Sequence, residues 1–122
     1  MRWLIATACA TALLGSAASA QPPNKEQAQR QAYDHALTCF VANAHAANER
    51  KRAGDTDKAA IYLANAKRSF DGAVAMGRAM GLSNRTMNGD LDAASARDLG
   101  RFMADREAFL AAASTCKALG LM

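Results

Sequence analysis

Two cysteines, Cys39 and Cys116, constrain this chain more than any other feature, because a bond between them would tie together the two ends of a small domain. A third, Cys9, lies in a segment that reads as an address and not as part of the fold. Met1-Arg2 supplies one positive charge, Trp3 to Leu14 carries none, and Gly15-Ser16-Ala17-Ala18-Ser19-Ala20 is a run of small residues. This order is that of a secretory signal peptide, with cleavage expected between Ala20 and Gln21. The apolar run is too short and too rich in Ala and Thr to anchor in a membrane, which takes about 20 apolar residues. Residues 1–20 are therefore read as signal peptide. Residues 21–122 are read as a single helical domain, periplasmic or secreted, with no stable membrane anchor after cleavage. In an exported protein the two remaining thiols are expected to be joined. In chain-entropy terms so long a loop is worth up to about 4–5 kcal/mol.

That contribution matters because the core is thin. After position 20 there are 24 alanines but only 15 Leu, Ile, Val or Phe residues. So few large apolar side chains approach the composition of disordered chains. The net charge of +4, lowered by one when Arg2 leaves, is too small to force the chain open. The apolar residues are also strongly periodic. Tyr33, Leu37, Phe40, Val41, Ala44 and Ala47 recur at helical spacing, as do Ala59, Tyr62, Leu63, Ala66, Phe70, Ala73, Val74 and Gly77. Asn24 with Gln27 has the spacing of a capping box, Arg50-Lys51-Arg52 before Gly54 suits a helix end, and Asp55 or Thr56 suits the next start. Helix 1 is thus expected to run to about Ala53 and helix 2 to about Met80, closed by Gly81. Residues 82–89 read as a connector, with Asn88-Gly89-Asp90 as a turn. Leu91, Leu99, Phe102, Met103, Phe109, Leu110 and Ala113 then share a last helical stripe that Gly100 interrupts.

The expected fold is all-α, a small antiparallel bundle of three or four helices with one disulfide. The cysteines discriminate between three and four. In a simple three-helix arrangement Cys39 would lie halfway along helix 1, with Cys116 about 15–20 Å away along the axis at 1.5 Å per residue. A disulfide needs Cα atoms within about 7 Å. A turn near Leu99-Gly100, with a fourth helix from about Arg101, removes the conflict.

The residues that carry chemistry are few. His35 and His45 stand ten positions apart on helix 1, too far along it to share a metal, and read as solvent-facing. Without Cys-x-x-Cys-His there is no covalent haem site. Met76 and Met80, with Met87 beyond, have the spacing of a soft-metal thioether pair, although such methionines commonly fill cores. Asp90 reads as a helix-start acid. Asp98, Arg101, Asp105 and Arg106 read as helix-surface pairs, and Arg106 as an arginine snorkelling at the edge of the last apolar stripe. No Ser-His-Asp or Cys-His pair and no glycine-rich phosphate loop can be assembled. The sequence pI of 9.3 is spread too thinly to suggest nucleic acid.

Gly54-Asp55-Thr56-Asp57-Lys58-Ala59, followed by Leu63 and Ala66, resembles the turn and second helix of a tetratricopeptide repeat. The first-helix positions hold Asn43, Ala46, Ala47 and Arg50 instead of that family's Trp, Leu, Gly and Tyr, and no second copy follows. The resemblance is that of one tight helical hairpin to another.

These residues imply a small exported, non-catalytic binding module of the cell envelope, with no cofactor and with a protein or small ligand of the envelope as partner. The alternative is a periplasmic metal or cofactor carrier that uses Met or His ligands inside the bundle.

Overall fold

The computed structural model describes Pro22 and residues 24–122, and every regular element among them is a helix. In order come α1 (Lys25–Arg52), α2 (Thr56–Ala79), α3 (Asn84–Ala104) and α4 (Arg106–Ala118). The signal-peptide reading of 1–20, with cleavage between Ala20 and Gln21, lies outside the described residues.

The first hairpin follows its sequence signals. The Gln27 amide donates to Asn24 Oδ1 at 2.8 Å and the Asn24 amide to Gln27 Oε1 at 3.2 Å, which closes the capping box at the start of α1. Gly54 turns the chain with φ +79° and Asp55 caps α2. Gly81, at φ +78°, ends the second helix region as expected.

Two boundaries differ from expectation. Ser83 Oγ accepts the Thr86 amide at 3.1 Å, so α3 starts at Asn84 and Asn88-Gly89-Asp90 lies within the helix, not in a turn. Gly100 also remains helical. The break falls at Asp105, whose extended backbone (φ −136°, ψ 104°) ends α3 and whose carboxylate accepts the amides of Glu107 and Ala108. The fourth helix thus begins at Arg106, five residues beyond the expected start. A capping acid at the right spacing outweighs the small propensity cost of one helical glycine.

The break sends α4 back along α1. Tyr33 faces Asp90, Thr38 faces Asp98 and His45 faces Phe102, so α3 ascends beside α1. His45 also faces Phe109 and Cys39 meets Cys116, so α4 descends. Cys39 and Cys116 are joined, with Cα atoms 5.6 Å apart.

Helix α1 is the axis of the molecule, with no exposed residue from Ala36 to Ala47. On one side α2 presents Ala59, Ala66, Ser69, Ala73 and Gly77, a seam of small residues that lets the two backbones approach closely. Because α2 packs almost solely on α1, its flanks stay uncovered, and Leu63, expected in the stripe, is 51% exposed. The stripe of α3 and α4 is narrower than expected for the same reason. Phe102 and Ala113 are buried, whereas Leu99, Met103 and Leu110 face outward.

Past α4, Gly120 (φ +71°) folds the end of the chain inward. The fully buried Asn43 amide donates to the carbonyls of Cys39 and Leu121, both at 2.8 Å, and so fastens that end to α1. Among the described residues its Oδ1 has no hydrogen-bond partner.

Candidate ligand-binding clefts

An apolar concavity lies where α1, α2 and the first turns of α3 diverge. It measures about 300 Å³ and is walled by Tyr33, Leu37, Phe70, Ala73, Val74 and Met87, with Arg78, Asn84 and Asn88 at its mouth. Gly77 sets the spacing of the helices here. A Cβ on Gly77 would stand 3.1 Å from both Met87 Cγ and Tyr33 Cε2 and would overlap the Met87 sulfur. Beside this close contact the wall itself combines two aromatic rings, Leu37 and Val74 with a small alanine and a flexible thioether.

Two charged side chains meet Tyr33 at that wall. Its hydroxyl donates to Asp90 Oδ2 at 2.9 Å, and Arg30 lies 3.8 Å from the same oxygen with its guanidinium 5.2 Å from the ring centre. Burial, the hydrogen bond to Asp90 and the Asp90 charge push the phenol up to about 12, against a smaller opposing effect of Arg30. Asp90 is thus a cross-helix acceptor inside α3 and not the helix-start acid expected.

Asp98 departs furthest from its sequence reading. It is 1% exposed, not a surface residue. Thr38 Oγ1 donates to Oδ2 at 3.0 Å, Arg97 donates to both carboxylate oxygens at 2.9 and 3.0 Å, and Arg101 reaches Oδ1 at 3.4 Å. Burial raises the carboxyl's pKa, but the hydrogen bonds from Arg97 and Thr38 and the charges of Arg97 and Arg101 outweigh it and hold the group below the usual carboxylate range. The available signal was position, not charge: Asp98 stands four residues from both Ala94 and Phe102, which are buried on the same face of α3. Beside this cluster a second cleft, bordered by His35, Thr38 and Arg101, leads to the disulfide.

The histidines separate. His35 is exposed, as expected, whereas His45 is 8% exposed, a correction to its reading as solvent-facing. The His45 ring packs against Phe109 at 4.8 Å and Phe102 at 6.2 Å, and its Nε2 lies 3.7 Å from Glu49. An imidazole has enough apolar edge to sit between two phenyl rings while one nitrogen reaches the rim. Met76, Met80 and Met87 all pack against the cluster around Tyr33. Among the described residues no group of three or more His, Cys, Asp or Glu side chains could hold a metal ion.

Arg106 is exposed at the start of α4 and borders a third cleft, of about 330 Å³. No described helix is long and apolar enough to cross a membrane. Comparison with known proteins finds no matching family model, no matching curated protein and no matching solved structure.

Proposed function

We propose that the chain is an exported, non-catalytic binding module of the cell envelope, and that it takes an apolar ligand group in the cleft beside Tyr33. The observation that carries this reading is the cleft itself: about 300 Å³ of mostly apolar wall with a polar mouth, beside a helix contact that Gly77 holds close. Binding sites for small molecules commonly combine an apolar interior with a few polar groups at the entrance. The disulfide supports an oxidising compartment, and the leader-like first twenty residues support export.

A non-catalytic role fits the polar groups. Thr38 donates to a carboxylate already committed to two guanidiniums, so Asp98 is a poor base for activating that hydroxyl. The buried histidine faces aromatic rings and one glutamate.

The test is fluorescence of the neutral probe N-phenyl-1-naphthylamine. Saturable enhancement with the wild type, lost in Val74→Trp at unchanged helicity, supports the cleft as the site. No enhancement with the wild type, or an equal one with the variant, refutes it. The carrier alternative draws on the shared location of Met76, Met80 and Met87. Metal analysis and an absorption spectrum of protein purified from the exported fraction separate the two, since a stoichiometric metal or chromophore would favour the carrier.

A further inference from the structure

The third cleft has a different chemistry. It lies between the end of α1, the start of α2 and the face of α4, and three cations, Arg50, Arg106 and Lys117, border it. Tyr62, Phe109 and Leu110 supply its apolar walls. Its one acidic side chain, Glu49, lies 3.7 Å from His45. None of the three cations has an ion-pair partner within 4.0 Å among the described residues, a state they share with Lys25, Lys51, Arg52, Arg68, Arg78 and Arg85.

The fold accounts for two of these charges and not for the third. Arg50 lies in the last turn of α1 and Lys117 in the last turn of α4, where the helix dipole favours a cation. Arg106 is the first residue of α4, at the end of the dipole that disfavours one. The adjacent Asp105 directs its carboxylate to the amides of Glu107 and Ala108. Arg106 thus adds a third positive charge to the cleft at a position where helix electrostatics opposes it. An anion in the cleft would relieve that repulsion, and the aromatic and leucine walls would cover an apolar body attached to it.

We infer that this cleft binds a small amphiphilic anion, a carboxylate, sulfonate or phosphate carried on an aromatic or aliphatic body. The anion sits at the end of the cleft where Arg50 and Arg106 face each other, and the body lies against Tyr62, Phe109 and Leu110 towards Lys117. The site is separate from the apolar cleft beside Tyr33 and does not depend on it.

The experiment pairs two probes of similar shape, anionic 8-anilino-1-naphthalenesulfonate and neutral N-phenyl-1-naphthylamine, on the full folded chain. Arg50→Gln and Arg106→Gln, both exposed positions, are each expected to weaken the anionic probe on the order of tenfold and to leave the neutral one unchanged. Arg106→Lys, which keeps the charge, should restore most of the loss. Raising the salt from 0.01 M to 1 M should weaken the anionic probe in the wild type, as exposed charges are then screened beyond about 3 Å. Val74→Trp should not affect it, which keeps this outcome distinct from failure of the apolar cleft. Free dodecanoate should displace the anionic probe. Equal affinities in wild type and both Gln variants would overturn the assignment. So would binding to phosphatidylglycerol vesicles without any competition by free dodecanoate, which would make the surface a headgroup contact instead of a ligand cleft.

Discussion

The two halves of α1 are held by different means. Around Tyr33 the core is Ala36, Leu37, Ala73, Met87 and Ala94, with Met76, Met80 and Leu91 at its margin. Small side chains and thioethers do the packing there, and a cleft remains open. Around Cys39 the core is Val41, Ala42 and Phe102 closed by the disulfide, with Phe109 and Phe40 at its margin. There a covalent bond and edge-to-face rings fix α4, with Phe109 4.8 Å from His45 of α1 and 5.7 Å from Phe102 of α3. Leu121 touches both clusters, so the inward-folded end of the chain couples them. A domain short of large apolar residues can thus keep one half rigid by covalent means and leave the other adaptable. The open cleft beside Tyr33 is in the adaptable half.

The strongest way to break this comparison is to remove the staple. Replacing both Cys39 and Cys116 with Ala should lower unfolding free energy by up to about 4–5 kcal/mol, measured by denaturant unfolding. Proteolysis should then open α4 before the α1–α2 hairpin. Uniform digestion would show that the two halves do not differ in how they are held. In the other half, Gly77→Val should cost about 1–3 kcal/mol, because its side chain must displace Met87 and press on the Tyr33 ring. Gly77→Ala should cost much less, since the Met87 thioether can move and alanine restores helix propensity. If valine were as harmless as alanine, the close approach of α2 to α1 would not be what shapes that half.

The sequence made the hairpin legible because its signals are local. Asn24 and Gln27, Gly54, Asp55 and Gly81 each act on backbone within one turn of themselves. The disulfide and the need for a reversed fourth helix were legible through arithmetic along helix 1. Asp98 and His45 were misread because helical periodicity assigns faces by the apolar residues on the same helix, whereas burial depends on what arrives from elsewhere. His45 is covered by Phe102 and Phe109, more than fifty positions later in the chain. Asp98 is tolerable inside only because Thr38, Arg97 and Arg101 satisfy its oxygens. Conversely, Leu63, Leu99 and Leu110 looked interior by period and are exposed because none of the four described helices covers them. The third cleft was hinted at only by Arg106, since its cations come from two helices distant in sequence.

A pH experiment sharpens the account of the adaptable half. The folded Tyr33 phenol is raised from 10.0 to about 12, so its contribution to stability is complete below pH 10 and is lost as the pH rises from there towards 12. Tyr33→Phe should cost about 1 kcal/mol at neutral pH by removing the hydrogen bond to Asp90, and it should flatten the alkaline fall. An unchanged alkaline profile in the variant would place that titration elsewhere. Asp98 works in the opposite sense. Its carboxyl is held down in the fold, so the stability it contributes above the unfolded carboxyl value is lost as the pH falls through its folded value.

The smallest effect bears on the rigid half, where the position of the chain reversal decides whether the disulfide can form. Gly100 lies inside α3 with no neighbouring heavy atom where a Cβ would point, and it keeps helical backbone. Gly100→Ala should therefore stabilise the protein by about 0.5–1 kcal/mol, because alanine loses less backbone entropy in a helix and meets no obstruction. Were Gly100 the hinge, the same change would straighten the chain there, separate Cys116 from Cys39 and leave two thiols open to alkylation. At the hinge the structure places at Asp105, Asp105→Ala should destabilise by about 1 kcal/mol through loss of the cap on α4. Opposite signs at positions five residues apart would locate the reversal at the capping acid, because helix propensity acts at one of them and capping at the other.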